Sequence, residues 1–417
     1  MIPSTDIAES VVATRERPPD LRRPPSPGRP KKLNWSVVVL DNWADLEPYF
    51  PAWEELAAAA LEPNVFYEPW MLRPALESYG AGRQLLLVLV VAQLPAGQPP
   101  LLGGLFPLER RRGYKGLPVR VLSLWRYIHC YLGTPLIHAD YARACLNAFF
   151  DWLAQDPRGA PLLECPWIAG EGPWAWALTE FLEERPLAHL VVEGFTRALL
   201  RPRENSQAYL EGMLSGERRR QLRRKEERLG QVGRVDYVEL QPGEAVEPWI
   251  EEFLRLEASG WKGQTDTALA CHEADRRFFC TATREAWRRG QLWMQALRVD
   301  GRPIAQHCCY LAGSGAFNFK VAYDETHAPA SPGVLLELER IRRLHQRPDI
   351  GWVDSCNAPG PALLKELWAD RRVLQTLLIA PGKAPGPFLL SLVPWLRWLR
   401  RKTTSRAPSP EPHGRSR

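Results

Sequence analysis

Three apolar runs joined by tight turns are the feature that most constrains the fold of this chain. The runs cover Gln291–Val299, Pro303–Leu311 and Ala316–Tyr323, and the breaks between them are Asp300-Gly301 and Gly313-Ser314-Gly315. Asp-Gly and Gly-rich breaks between strand-like runs are strong hairpin signals, because these residues tolerate the positive φ angles of tight turns. The pattern therefore predicts three consecutive antiparallel strands.

A helix is predicted soon after the third of these strands. The sequence Ala330-Ser331-Pro332-Gly333 places Ser331 as the N-cap and Pro332 at the first helical position. Such a helix start presents unpaired backbone N–H groups and the positive end of the helix dipole. A phosphate or pyrophosphate group would bind well there.

Motifs around this helix carry a resemblance to a known family. They are Phe319–Glu325 with Ser331-Pro332-Gly333, then Leu256-Glu257 and Gly260–Gly263 upstream, and Asp354, Gly360, Lys365 and Trp368 downstream. In this order they resemble the GNAT-superfamily acetyltransferases associated with cellulose and exopolysaccharide biosynthesis (the CelD/BcsL type). The similarity covers about residues 204–380, including the arginine-rich helix Arg218–Arg228.

The resemblance implies an α/β fold with a mixed sheet and two tandem GNAT-like domains, as in the related Fem-type transferases. Residues 33–200 are expected to form a degenerate first copy, and residues 201–380 the acyltransferase domain with splayed strands. Both halves show a similar order of predicted helices and strands. The first copy has Tyr131–Pro135 in place of the Ser-Pro-Gly step. We therefore expect the cofactor only in the second copy.

The basic charge of the chain belongs to its two ends. Residues 1–32, a Pro/Arg-rich tail expected to be disordered, carry a net +3, and residues 381–417 carry +7. Since the whole chain carries +6, the segment 33–380 carries −4. A nucleic-acid-binding core would have a basic folded face, so we expect no nucleic-acid partner.

The remaining composition indicates a cytoplasmic protein. Eight cysteines are present without a C-x-x-C pair, and they are expected to be reduced thiols in apolar surroundings. No apolar run of about eighteen residues could cross a bilayer, and no metal-ligand spacing is present. The segment Phe388–Lys402 combines tryptophans, leucines and a basic end. It is predicted either to contact an anionic membrane, placing the protein at the inner membrane face, or to pack on the protein itself.

The resemblance also implies roles for individual residues. The donor, acetyl-CoA or another acyl-CoA, is expected at Ser331, Gly333 and the amides of Val334 and Leu335. Lys365 is expected near its 3′-phosphate or paired with Asp354, with a solvated helix lysine as the alternative. The carbonyl would be polarised by a backbone N–H within Asn318–Tyr323. The acceptor side is expected to include Trp261, Lys262 and Asp324.

The proton-transfer residues are less well determined by the sequence. Asp354 and Glu257 are the predicted bases. The ordinary alternative for Asp354 is a cap of the following loop, and the alternative for Glu257 is a surface carboxylate. Tyr323 is the predicted acid that returns a proton to the thiolate, although a strand tyrosine is commonly packed. No cysteine is placed as a nucleophile, so direct transfer is expected.

The expected function is therefore acyl-CoA-dependent N- or O-acyl transfer to a sugar, glycan precursor or lipid. Two alternatives remain open. One is Fem-type transfer from aminoacyl-tRNA, which the negative charge of residues 33–380 disfavours. The other is a non-catalytic scaffold of a membrane-associated biosynthetic complex.

Overall fold

The computed structural model describes residues 33–94, 99–115, 117–156, 160–358, 362–382 and 384–404. The predicted disordered tail, residues 1–32, and the last residues, 405–417, lie outside this range.

Thirteen strands occur within the described residues and belong to one sheet. They are β1 (Trp35–Leu40), β2 (Leu85–Ala92), β3 (Leu101–Tyr114), β4 (Leu117–Leu124), β5 (Leu136–Ile137), β6 (Leu162–Ala169), β7 (His189–Leu200), β8 (Val235–Glu239), β9 (Leu292–Val299), β10 (Arg302–Ala312), β11 (Gly315–Tyr323), β12 (Trp352–Asp354) and β13 (Asp370–Ile379). Helices cover both faces of this sheet, which is why strands such as β2 are almost continuously apolar.

The α-helices of the described residues lie between these strands and after the last one. They are α1 (Phe50–Ala58), α2 (Pro69–Tyr79), α3 (Ala142–Gln155), α4 (Pro173–Glu184), α5 (Ser206–Met213), α6 (Gly216–Val232), α7 (Glu247–Ser259), α8 (Trp261–Gln264), α9 (Glu273–Arg288), α10 (Pro332–Leu344), α11 (Ala362–Leu367) and α12 (Gly386–Thr404). A short 3₁₀ helix, Glu325–Ala330, links β11 to α10.

The hairpins predicted from the sequence are confirmed, with strand ends shifted by a residue or less. Asp300 and Gly301 join β9 to β10 with φ angles of 47° and 76°. Two successive positive φ angles define the turn that matches the twist of paired strands, and aspartate followed by glycine adopts it at low cost. Gly313, with a φ of 52°, begins the turn from β10 to β11.

The strand order shows that the last strand of the chain inserts among strands of the first half. The sheet runs β1-β2-β3-β4-β6-β13-β7-β12-β11-β10-β9-β8, with β5 paired to β3. Most pairs are antiparallel, and the parallel pairs are β4 with β6 and β11 with β12. The predicted mixed α/β class is confirmed. The last strand, β13, lies between β6 and β7 of the first half.

The same strand pattern occurs twice along the sheet. Three antiparallel strands followed by a parallel partner are seen in β2-β3-β4-β6 and again in β9-β10-β11-β12. Residues from Trp35 onward nevertheless form one compact unit. The predicted division into tandem domains at residues 200 and 201 therefore stays a prediction.

A large apolar cluster on one face of the sheet joins both halves of the sequence. It contains Trp53 and Phe66 from the first half, and Phe253, Phe278 and Phe319 from the second. All five side chains are buried. Burying each aromatic side chain stabilises the fold by about 1.5–3 kcal/mol, so the halves hold each other in place.

The C-terminal helix α12 packs on the sheet with only part of its surface. Leu390 and Val393 are buried against β-strand side chains that include Leu162 and Leu378. Within the described residues, no helix is both long and apolar enough to cross a bilayer. The predicted packing of this segment on the protein is thus seen for one face of the helix.

The opposite face of α12 leads to a testable prediction. Phe388 and Trp395, seven residues apart, are 64% and 58% exposed. We expect the double variant Phe388→Ser/Trp395→Ser to bind phosphatidylglycerol vesicles about tenfold more weakly than the wild type, measured by co-sedimentation. The melting temperature should not change, because both side chains are exposed. Equal sedimentation of the wild type with and without vesicles would exclude the membrane contact.

Candidate functional site

A gap opens in the sheet between β11 and β12. The two strands pair only from Gly315–Phe317 to Trp352–Asp354. Beyond this point β12 ends, whereas β11 continues for six more residues to Tyr323. One edge of β11 is therefore left unpaired over most of its length, which creates space for a ligand between the strands.

A β-bulge lies in the unpaired part of β11. Asn318 pairs with Cys309 and Lys320 pairs with Cys308, so Phe319 is an extra residue with no partner in β10. A bulge turns two successive side chains toward the same face. Phe319 and Lys320 accordingly both lie on the α7 side of the sheet, where Lys320 reaches Glu257. The bulge also releases backbone groups from the ladder at the centre of the gap.

The first turn of α10 lies at one end of this gap. Tyr323, the last residue of β11, is the nearest neighbour of a Cβ built on Gly333, at 3.8 Å. That distance leaves ordinary room around Gly333. The start of α10 therefore faces open space beside the end of β11.

The predicted N-cap position of Ser331 is confirmed, but its side chain does not cap the helix. Ser331 has a left-handed backbone (φ 54°, ψ 55°) and its Oγ accepts a hydrogen bond from Lys225 Nζ at 2.6 Å. The amides of Val334 and Leu335 donate to the carbonyl oxygen of Ser331, at 2.9 and 3.1 Å. Because these two amides are already bonded, they are poor phosphate donors. The N–H of Gly333 has no acceptor among the described residues and is the donor left for an anion.

Helix α6 brings positive charge to the start of α10. Lys225 lies between the buried residues Leu222 and Leu229 of α6 and reaches Ser331. Helix α6 also carries exposed arginines for which no ion pair is recorded in the described part of the chain: Arg220, Arg223, Arg224 and Arg228. The helix dipole and the ammonium group of Lys225 both favour an anionic ligand at the start of α10.

Glu257 lies on the other side of the β11 bulge and is buried. Its Oε1 accepts a hydrogen bond from Lys262 Nζ at 2.9 Å and lies 3.5 Å from Lys320 Nζ. Its Oε2 accepts from the backbone N–H of Leu269 at 2.9 Å. The predicted base is therefore not a surface carboxylate. It is the centre of a buried cluster that contains two lysines.

Lys320 is the member of this cluster nearest to the bulge. Burial lowers the pKa of Lys320, and Lys262 acts in the same direction, while Glu257 raises it. Lys320 belongs to the sequence motif, but its position in a strand does not predict that its side chain lies beside the carboxylate of Glu257. Its orientation depends on the bulge, which the sequence did not reveal.

The predicted acceptor residues surround the loop after α7. The backbone N–H of Trp261 donates to Glu325 at 2.8 Å, and the Trp261 side chain is exposed. Lys262 also donates to the carbonyl oxygen of Val321 at 3.1 Å. Asp324 caps the 3₁₀ helix by accepting from Thr326. Burial would raise the pKa of Asp324, but these hydrogen bonds lower it below its usual range. Asp324 therefore orders the turn beside Tyr323.

Asp354, the other predicted base, is fully buried between two arginines. Arg197 and Arg372 each donate to its Oδ2, at 2.6 and 2.9 Å, and the N–H of Cys356 donates to Oδ1 at 2.9 Å. Burial would raise the pKa of Asp354, but the two guanidinium groups hold it below its ordinary value. A carboxylate with three donors and a lowered pKa is a weak proton acceptor. The geometry favours a structural role.

Two further predicted site residues lie in α11 and at the end of β11. Lys365 lies in α11, but its side chain lies outside the described residues. Tyr323 is 38% exposed at the end of β11.

Comparison with known proteins supports the interpretation of the second half. Residues 216–358 match the family model of the acetyltransferase (GNAT) domain. This segment of the chain is similar to GNAT-fold acetyltransferase domains. This match covers α6 to the end of β12, including the gap, the bulge and the start of α10. No protein among the curated sequences matches the chain.

Solved structures with low sequence identity superpose on both halves of the chain. FemX superposes with a TM-score of 0.51 at 10% identity, over 82% of this chain and 98% of its own. A conserved protein of Bacteroides thetaiotaomicron superposes with a TM-score of 0.48 at 12% identity, over 82% and 99% of the two chains. A tandem GNAT protein from the clavulanic acid biosynthesis pathway gives 0.39 at 14% identity, over 84% and 100%. The FemX superposition shows that this chain shares the fold of FemX over most of its length.

Proposed function

We propose that this chain transfers an acyl group from acyl-CoA to an amine or hydroxyl of a sugar, a glycan precursor or a lipid. The observation that carries this proposal is the gap between β11 and β12, with a bulge at its centre and the start of α10 at its end. An elongated donor with an anionic end and a reactive carbonyl fits these three features. The sequence resemblance to polysaccharide-associated acetyltransferases favours a glycan precursor as the acceptor.

The anionic end of the donor would be held at the first turn of α10. The N–H of Gly333 has no protein acceptor among the described residues. Positive charge is close by, because Lys225 Nζ donates a hydrogen bond to Ser331, two residues before Gly333. Space around the Gly333 Cβ position is open. A phosphate oxygen there would gain a charge-assisted hydrogen bond and the field of the helix dipole.

The carbonyl of the donor would lie at the bulge. Acyl-CoA supplies a thioester, whose carbonyl oxygen becomes negative during attack. The backbone N–H released at Phe319 would supply a fixed dipole there, and the ammonium group of Lys320 would supply positive charge. Preorganised groups of this kind stabilise developing charge because they need no rearrangement during the reaction. Glu257 would hold Lys320 in place, and Tyr323 would return a proton to the leaving thiolate.

Fem-type transfer from aminoacyl-tRNA is the second candidate function. The observation that favours it is the exposed arginines of α6, the helix whose Lys225 contacts the start of α10, since such a helix suits a larger polyanion than CoA. Both candidates use the same gap and bulge. They differ in the donor.

Calorimetric titration of the full chain separates these functions. We expect acetyl-CoA, or a longer acyl-CoA, to bind with a micromolar dissociation constant and with one site per chain. Binding of alanyl-tRNA with no binding of any acyl-CoA would replace the first proposal with the second. Absence of binding to either donor would leave the non-catalytic scaffold as the explanation.

A further inference from the structure

A hydrogen-bonded cluster that no sequence motif predicted lies where the two halves of the chain meet. Asp275, in the first turn of α9, accepts a hydrogen bond from the Tyr79 hydroxyl at 2.7 Å. His129 Nε2 lies 3.0 Å from the same Asp275 oxygen. Tyr79 and His129 come from the first half, and Asp275 comes from the second.

This cluster is adjacent to the β11 bulge. The imidazole of His129 stacks on Phe278, with ring centroids 5.6 Å apart. It also packs edge-to-face against Phe319, with ring centroids 5.7 Å apart. Phe319 is the bulge residue itself. His129 is therefore one aromatic ring away from the point where the donor carbonyl is proposed to lie, and on the same face as Lys320.

The hydrogen bonds determine the state of the imidazole. Burial would raise the pKa of Asp275, but the hydrogen bonds from His129 and Tyr79 lower it below its usual range, so the carboxylate is charged. A charged carboxylate accepts hydrogen bonds, and Nε2 of His129 must then carry the proton. The lone pair is left on Nδ1, for which no hydrogen bond is recorded among the described residues.

The surroundings also keep the imidazole neutral. Burial lowers the pKa of His129, and Lys320 acts in the same direction; Asp275 and Glu257 oppose this only in part. These charged groups, from α9, β11 and α7, together with Tyr79 of α2, are the titratable neighbours of the ring. At neutral pH His129 has an unprotonated nitrogen that is ready to accept a proton.

The carboxylates predicted as bases are less suited to this task. Asp354 has two arginines and a backbone N–H as partners. Glu257 has two lysines and a backbone N–H. In each case proton uptake would break a buried ion pair. His129 loses no ion pair on protonation, and it gains one with Asp275.

We propose that His129 is the general base that removes the proton from the acceptor nucleophile, with Asp275 and Tyr79 as positioning residues. The inference rests on the proposed acyltransferase function. It makes the first half of the chain a contributor to catalysis rather than only a support for the fold.

The proposed step balances as follows. The acceptor N–H or O–H gives its proton to Nδ1 of His129, and its electron pair forms a bond to the thioester carbonyl carbon. The carbon–sulfur bond breaks, and its electrons leave with the thiolate of CoA. The thiolate takes up one proton, and the imidazolium loses one to solvent. The products are an amide or ester and free CoA.

The test compares His129→Gln with the wild type, using acetyl-CoA with glucosamine, ethanolamine and glycerol as probe acceptors. Glutamine can still donate a hydrogen bond to Asp275, so the structural contact is kept while the base is lost. We expect acetyl-CoA to bind both proteins equally and the kcat for thiol release to fall about a hundredfold in the variant. His138→Gln is the matched control, because its side chain can still accept from the Asp140 amide.

The pH profile distinguishes catalysis from a structural role. In the wild type, the rate should fall as the pH drops through the pKa of His129, below the usual histidine range. This acid limb should be absent in His129→Gln. It should move to lower pH in Asp275→Asn, because the carboxylate that raises the histidine pKa is removed.

Two outcomes would overturn the role of His129 but not the proposed function. One is an unchanged rate and acid limb in His129→Gln, and the other is acetyl-CoA binding by the wild type without thiol release. Failure of the wild type to bind acetyl-CoA would instead overturn the proposed function, and the inference with it.

Discussion

Replacing Gly333 with aspartate is expected to lower the affinity for acetyl-CoA at least about a hundredfold, which corresponds to about 2.8 kcal/mol. The new carboxylate would lie beside the N–H that is proposed to bind phosphate. It would remove a charge-assisted hydrogen bond worth about 1.5–3 kcal/mol and add like-charge repulsion. The fold should tolerate the change, since a Cβ on Gly333 meets only Tyr323, at 3.8 Å. A negative side chain in the first turn also stabilises a helix.

Gly333→Asn is the control for this substitution. Asparagine has nearly the same size as aspartate but no charge, so we expect its affinity to stay within about tenfold of the wild type. Calorimetric titration gives the dissociation constants, and thermal unfolding checks that both variants are folded. Equal loss of binding in both variants would indicate a steric effect. Equal retention in both would exclude the start of α10 as the phosphate site.

Local structure around the site could be predicted from the sequence because its signals lie within a few residues of each other. Asp300-Gly301 and Gly313 mark turns whose positive φ angles few other residues adopt. Ser331-Pro332 marks a helix start for a similar reason, since proline has the φ angle of a first helical turn. These signals were sufficient for the three strands, the helix after them and the class of fold.

Contacts between distant residues could not be predicted in the same way. The neighbours of Asp354 are Arg197, 157 residues earlier, and Arg372, 18 residues later. They meet because β13 inserts beside β7, and an alternating apolar pattern does not specify which strands are neighbours. The sequence left open whether Glu257 is a base or a surface carboxylate for the same reason, whereas in the structure it is buried and paired with Lys262 and Lys320.

The position of His129 illustrates the same limit at the level of function. The residue lies in an irregular segment after β4, with no spacing that relates it to Asp275, 146 residues later. Only the packing of α2 and α9 on one face of the sheet brings the pair together. A search for motifs in the second half alone could not have found a partner from the first half.

The arginines around Asp354 lead to the second prediction with a large effect. Asp354→Asn is expected to lower the free energy of unfolding at neutral pH by about 3–5 kcal/mol. The substitution leaves the buried guanidinium of Arg197 without a counter-charge, although Arg372 keeps its ion pair with Glu62. The matched control is Asp349→Asn, which removes an exposed carboxylate paired with Arg347. That change should cost about 1 kcal/mol or less.

Urea unfolding at several pH values tests both the size and the origin of this effect. Because the pKa of Asp354 is lower in the folded state, its contribution is complete above the ordinary aspartate pKa. The contribution is lost as the pH falls through the lowered value. The difference between wild type and Asp354→Asn should therefore shrink in acid, and the Asp349→Asn difference should stay small throughout. If Asp354→Asn were as stable as the wild type but inactive, the carboxylate would act in the chemistry, and the general base would be Asp354 rather than His129.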